Sequence, residues 1–393
     1  MPARPSVAAH EAALAALSRR GRLRTLAPAQ GADFASNDYL GLAQSEELRQ
    51  AASAALARGV PLGAGGSRLL RGNHPEHEAL EAEAAAFFGA EAALFFAGGF
   101  AANAALVSTL PRRGDLVVYD ELIHASVHEG LAGASSAERV EAVATRHADA
   151  DAVDDAIRHW RAKGGRGRAW IAVETLYSMD GDFAPLDDLN AVAERHDAML
   201  LLDEAHATGV YGPAGRGLAA HLEGRANVVT LHTCGKALGV MGALVCLPRG
   251  LRDYMVNRSR PFIYATAPSP LLAATVRAAL TIAEAAQDRR DRLMARIAHA
   301  RRALAGIGLP ATHSQIQKVI LGSDRRATAI AAALQAQGFD VRAIRPPTVP
   351  EGTARLRVAL TLNVSEAALD ALVDALSQAL AAEPGMQAER SVP

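Results

Sequence analysis

The sequence predicts an α/β fold, with a mostly parallel, doubly wound sheet in a large domain and a small α+β domain after it. Three observations lead there. From about residue 92 to residue 247, short apolar runs alternate with helical patterns, as βαβ units require. Ala-rich helical stretches at 270–285 and 288–305 then change the character of the chain, and 311–382 mixes strands with helices. Finally, 393 residues with 50% hydrophobic and 21% charged content can bury a sizeable core. The expected divisions are an N-terminal arm at 1–43, a large domain at 44–285, a small domain at 286–382 and a disordered, aperiodic tail at 383–393.

In chain order, residues 7–20 read as an amphipathic helix with Leu14 and Leu17 on one face, and 33–42 as a short strand and turn. A helix is expected over 44–58. Gly63, Gly65, Gly66 and Gly72 mark a flexible segment, and a helix over 75–88 stops before Gly89. Apolar runs predict strands at 92–96, 116–119, 169–173, 198–202, 227–231 and 243–247, with helices at 100–109, 124–131, 151–162 and 187–196. The small domain reads as strand 315–321, helix 325–337, strands 340–344 and 354–360, and helix 365–381.

A net charge of −1 gives no general attraction to nucleic acid or to an anionic membrane. Cys234 and Cys246 are too few for a disulfide framework and stand in no metal-ligand spacing, so no metal is expected and a reducing cytoplasm is the natural location. No apolar run approaches the ~20 residues of a membrane helix. The first 24 residues, with His10, Glu11 and several arginines, lack a signal-peptide apolar region.

The chemistry concentrates in two motifs. Thr233-Cys234-Gly235-Lys236 follows an apolar strand and offers a lysine among small residues, while Asp203 follows Leu200-Leu201-Leu202 about thirty residues earlier. A lysine able to form a Schiff base and a carboxylate able to keep a pyridine nitrogen protonated are what pyridoxal phosphate (PLP) needs from a protein. Each alone also reads as an ordinary loop lysine or a structural carboxylate; together, in this order, they specify the cofactor. His206 is placed to reach the phenolic oxygen of the same cofactor. His124, after a strand, reads either as structural or as a ring-stacking residue. Gly98-Gly99-Phe100 closes a strand and opens a helix, where free N–H groups suit a phosphate. Glu174 and Ser178 lie just past a strand end and line a pocket at that end, and Thr266 is either a phosphate donor or a turn residue. Arg355 and Arg357 share one strand face; a bidentate arginine suits a carboxylate, but by pattern alone they read as solvated edge-strand charges.

These residues resemble the α-oxoamine synthase family of fold-type I PLP enzymes over roughly residues 10 to 380. The likeness runs through Ser36-Asn37-Asp38-Tyr39-Leu40-Gly41-Leu42, Gly65-Gly66-Ser67-Arg68, His74, Asp120…His124-Ala125-Ser126, Glu174…Ser178-Met179-Asp180-Gly181, Asp203-Glu204-Ala205-His206, Thr233…Lys236 and Thr353-Ala354-Arg355-Leu356-Arg357. The resemblance implies a seven-stranded sheet and a decarboxylative condensation of an amino acid with an acyl thioester. L-alanine with pimeloyl-CoA is the implied pair, with acyl-carrier protein as another carrier. Lys236 would carry the cofactor and act as acid/base, Asp203 would pair with the pyridine nitrogen, and His124 would stack. His206 and Ser178 would meet the phenolic oxygen. Gly99, Phe100 and Thr233 would hold the phosphate, with Thr266 arriving from the other subunit of a homodimer. Arg357 would take the amino-acid carboxylate, and Asn37 and Arg24 would lie toward the acyl group. Gly98 replaces a frequent serine, Ala148 a common asparagine and Lys318 a usual proline, and Thr361-Leu362-Asn363-Val364 departs from the family's pattern. Glycine or serine as the amino acid, with another acyl chain, remains open. So do an aminotransferase and a catalytically silent PLP-binding protein on the same fold.

Overall fold

The computed structural model describes residues 7–133 and 140–382; the expected disordered tail at 383–393 lies outside them. In chain order the strands are β1 (Ala32–Asp33), β2 (Ala92–Phe96), β3 (Leu116–Asp120), β4 (Glu141–Thr145), β5 (Ala169–Glu174), β6 (Met199–Asp203), β7 (Val228–Thr233), β8 (Ala243–Leu247), β9 (Ile316–Gly322), β10 (Phe339–Asp340), β11 (Arg342–Ile344) and β12 (Ala354–Ala359). The chain forms two compact units. One comprises Asn37–Ser178 and Asp182–Leu293; the other takes in the chain up to Ser36, Met179–Gly181 and the chain from Met294 onward.

The larger unit holds a seven-stranded sheet in the order β2-β8-β7-β6-β5-β3-β4. β4, β3, β5, β6 and β7 run parallel, while β8 is antiparallel to both β7 and β2. The parallel strands read as continuous apolar runs because both faces are covered. Leu94, Val117, Trp170, Met199, Leu201 and Val245 pack on one face, with Leu106 from the helix Gly99–Thr109. Leu116, Val118, Ile171, Leu200 and Leu202 pack on the other, with Ile157 and Leu189 from the helices Ala150–Ala162 and Leu186–His196. The alternation of side chains along each strand sends successive residues into these two layers. It also brings Asp120, Glu174, Asp203 and Thr233 to the carboxyl ends of β3, β5, β6 and β7. The glycine-rich stretch before the helix Pro75–Phe88 is pinned rather than loose. Arg68 grips Glu81 at 2.8 and 3.1 Å, and Ala267 N–H donates to Gly66 O at 2.9 Å.

The smaller unit has a three-stranded sheet, β11-β12-β9, antiparallel throughout, and a two-residue parallel pair of β1 with β10. Leu356 and Val319 are buried beneath the helix Asp324–Ala336, which buries Ile330 and Leu334 and packs in turn on the helix Glu366–Ala381, where Leu372 and Leu376 are buried. The predicted single strand at 340–344 is two strands, each in a different sheet. Arg355 and Arg357 are not edge-strand charges. β12 is the central strand, and the two residues are only 3% and 6% exposed. The N-terminal helix Ala8–Arg19 buries none of its residues; Leu14 and Leu17 stay exposed. Among the described residues no helix is long and apolar enough to cross a membrane.

Candidate active site

At the carboxyl ends of the parallel strands the larger unit holds a cavity of about 400 Å³, lined by Asp38, Gly98, Gly99, Thr233, Gly235 and Lys236 among others. The lysine loop is fixed on both sides by close backbone packing. Cys234 N–H donates to Gly242 O at 2.9 Å, and Gly239 N–H to Lys236 O at 2.9 Å. Gly239, at φ +71°, leaves no room for a Cβ, which would sit 2.6 Å from the Ala43 nitrogen. Gly242, at φ +142°, likewise meets Phe95, with its Cε2 2.5 Å from the would-be Cβ. The Asp38 carboxylate holds the facing turn by accepting the Leu42 N–H at 2.8 Å.

Asp203 is 7% exposed and well anchored. Its Oδ2 accepts from Asn103 Nδ2 at 2.5 Å and its Oδ1 from the Ala205 N–H at 2.8 Å. Asn103 reaches it because the helix Gly99–Thr109 begins at the end of β2 and turns Asn103 inward one turn later. His206 is buried, and its Nδ1 shares a 2.6 Å hydrogen bond with the Tyr39 hydroxyl, which also donates to Asn37 Oδ1 at 3.0 Å. His124 opens the helix Ala125–Gly133 with one face exposed, its Nδ1 2.7 Å from Ser126 Oγ and its ring edge-on to Phe100 at 6.2 Å. Burial lowers the His124 pKa and the Lys236 charge lowers it further, against the opposing pull of Asp203, so a neutral, flat ring is favoured.

The strand ends are tied together behind the site. His147 bridges Asp120, at 3.0 and 3.1 Å, and Asp182, at 2.9 Å, and stands edge-on to the Tyr177 ring at 4.4 Å. Burial opposes its charge, but the hydrogen bonds to the two carboxylates carry its pKa up to about 10. Ser178 is buried and its N–H donates to Glu174 Oε2 at 2.9 Å.

These residues fit pyridoxal phosphate. The helix Gly99–Thr109 has no side-chain cap at Gly98, which leaves its first-turn N–H groups for an anion. A Cβ on Gly99 would come within 3.4 Å of Thr233 Oγ1, so glycine keeps that hydroxyl open to the same anion. Lys236 and Asp203 both act electrostatically on His124, which places the three in one cluster. Thr266 is exposed on the segment that follows Tyr264. Arg357 and Arg24 belong to the smaller unit. There Arg357 pairs in register with Lys318 and Arg342, and Arg24 donates to Thr348 Oγ1 at 3.2 Å. The sequence alone assigns no role to Asn103 or Tyr39, although Tyr39 stands inside the Ser36–Leu42 motif and Asn103 one turn past Gly99.

This fold and cluster define a fold-type I PLP enzyme. A family profile described as aminotransferase class I and II matches residues 29–376. The chain is 42% identical over 392 residues to the 8-amino-7-oxononanoate synthase of Anaeromyxobacter sp. (strain K), covering 96% of both chains. Among solved structures it resembles Sphingomonas wittichii serine palmitoyltransferase, with TM-score 0.83, 28% identity and coverage of 95% and 96%. It also resembles 8-amino-7-oxononanoate synthase from Francisella tularensis, with TM-score 0.75, 26% identity and coverage of 89% and 98%. The chain belongs to the α-oxoamine synthase family and is closely related to its 8-amino-7-oxononanoate synthases. It is a PLP-dependent acyltransferase whose reaction is a decarboxylative Claisen-type condensation.

Proposed function

We propose that this chain condenses L-alanine with a pimeloyl thioester, giving 8-amino-7-oxononanoate, CO2 and the free thiol carrier, as a cytoplasmic step of biotin synthesis. The observation that carries this reading is the 42% identity to a synthase of that name over 96% of the chain. Bound PLP supplies an electron sink for the pair left at the amino acid's α-carbon.

The protein's own residues do the rest. Lys236 Nζ holds the cofactor, takes the α-proton and later returns one to the same carbon. Asp203, anchored by Asn103 and the Ala205 N–H, keeps the pyridine nitrogen protonated. His124 stacks on the ring, and His206 and Ser178 hold the phenolic oxygen. Gly99, Phe100 and Thr233 hold the phosphate. Arg357 takes the alanine carboxylate, which orients the α-hydrogen for removal. Asn37 and Arg24 face the acyl substrate. The α-carbon displaces the thiolate from the acyl carbonyl, and the carboxylate then leaves as CO2.

The working unit in this proposal is a homodimer, with Thr266 reaching the phosphate of the other subunit. Phe100, Met241, Leu70 and Tyr264 are 53%, 63%, 88% and 73% exposed, an apolar set that a second copy would cover. The test offers alanine, glycine and serine in turn with pimeloyl-CoA and with shorter and longer acyl-CoA thioesters, following thiol and CO2 release, with mass by light scattering. Thiol and CO2 in equal amounts from alanine and pimeloyl-CoA alone support the reading. Another preferred pair moves the substrate within the family, and a keto acid without CO2 overturns the condensation.

A further inference from the structure

Glu174 takes no part in the steps above, yet it is the most enclosed carboxyl of the site. It ends β5 directly in register with Asp203 at the end of β6. Paired residues of adjacent strands stand on one face, so the two carboxyls are neighbours. Glu174 is 2% exposed. Its Oε2 accepts the Ser178 N–H at 2.9 Å, and its buried Oε1 has no hydrogen-bond partner among the described residues. Asp203 instead accepts at both oxygens, Oδ2 from Asn103 and Oδ1 from the Ala205 N–H, so neither is left bare. Two adjacent buried carboxyls resist ionising together, and the one with an oxygen left without a donor keeps the proton.

We propose that Glu174 is a positioning residue that works as a neutral acid. It carries the proton of the Glu174–Asp203 pair, leaves Asp203 as the single negative charge facing the ring nitrogen, and holds the Ser178 turn through Oε2. The proposal rests on the cofactor reading above.

The charged and titratable groups facing Glu174 are Asp203 on β6, Lys236 on the loop after β7 and Tyr177 on its own turn, with His124 within electrostatic reach of Asp203 and Lys236. Burial pushes the Glu174 pKa up to about 8 and the Asp203 charge adds to this, while Lys236 and the backbone and side-chain donors of Ser178 oppose it. Tyr177 is raised far above its usual range by burial and stays neutral throughout. Ionising Glu174 would set a second negative charge, beside that of Asp203, in the field of Lys236.

The sign follows from linkage. The folded pKa lies above the unfolded value of 4.5, so folded protein holds a proton that unfolded chain has lost. Stability falls as pH rises through the window from 4.5 to about 8 and levels off beyond it. The experiment uses cofactor-free protein, wild type and Glu174→Gln, unfolded thermally across that window. It adds PLP affinity for wild type, Glu174→Gln and Glu174→Ala, and an infrared titration of the protonated carboxyl in wild type. Glu174→Gln should gain in Tm over wild type progressively with pH, and keep PLP affinity within about threefold while Glu174→Ala loses about tenfold or more. Parallel Tm profiles overturn the proposal, as does a Glu174→Gln affinity as poor as that of Glu174→Ala. Should Glu174→Gln fail to fold, the infrared band decides: its absence from wild type at neutral pH overturns the neutral acid. The Tm and infrared readouts need no cofactor, so failure of the PLP reading would appear separately, as wild type that does not bind it.

Discussion

Replacing His147 by glutamine removes a charge held between two carboxylates while keeping a donor for one of them. The ring donates to Asp120 through Nδ1 and to Asp182 through Nε2, and its pKa stands at about 10 against an ordinary 6.5. At ~1.36 kcal/mol for each tenfold change in proton affinity, that gap corresponds to roughly 5 kcal/mol. The side chain is still 21% exposed, so water and salt screen the pair, and about 2 kcal/mol of net stability is expected. Because the folded pKa is raised, the contribution is whole below pH 6.5 and is lost as pH rises through about 10. Urea unfolding of wild type and His147→Gln at about pH 6, 8 and 10 therefore should give midpoints that are well separated at the first and converge at the last. A separation that stays constant across the series would refute the charge argument and leave His147 as a packing residue. The same substitution slackens the turn between Asp120 and His124, so a weaker hold on PLP should accompany the loss.

Two further outcomes follow from the same geometry. Asn103→Leu keeps the size but removes a donor from the buried Asp203 carboxylate; PLP affinity, measured by equilibrium dialysis, should fall about 10- to 100-fold, and cofactor-free protein should lose about 1–3 kcal/mol in urea unfolding. Gly242→Ala forces a Cβ to within 2.5 Å of the Phe95 ring at a φ of +142° and should cost about 2–4 kcal/mol in urea unfolding; a loss below ~1 kcal/mol would mean that the lysine loop yields easily.

The large sheet was legible because its inner strands are buried on both faces and leave uninterrupted apolar runs. β4 was not. It is an edge strand with only Thr145 buried, so Glu-Ala-Val-Ala-Thr carries no burial signal. The helices Arg249–Arg258 and Arg260–Ile263 escaped notice for a related reason: each buries a single side chain, Met255 and Phe262. The stretch 340–344 reads as one strand because Val341 and Ile344 favour one and no glycine or proline interrupts it. Its division is imposed by partners far away in sequence, Ala32–Asp33 for one half and Ala354–Ala359 for the other.

The site divides in the same way. Lys236 and Asp203 show in the sequence because each follows its own apolar strand, a local pattern. Their supports do not show, since Asn103 comes from 100 residues before Asp203 and Tyr39 from 167 residues before His206. The protons of Glu174 and His147 are further removed still, because they depend on which carboxylates the fold sets beside them. Arg355 and Arg357 were misread for want of one fact, that their strand lies between two others.

The lysine loop is walled by backbone and aromatic carbon at Gly239 and Gly242. A socket formed in advance gives up little chain entropy on accepting its cofactor, so affinity is not spent on ordering the loop. The same rigidity restricts how the enzyme can diversify. A side chain added at either glycine would press on Ala43 or on Phe95 and so disturb the Lys236 loop, which leaves both positions closed to change.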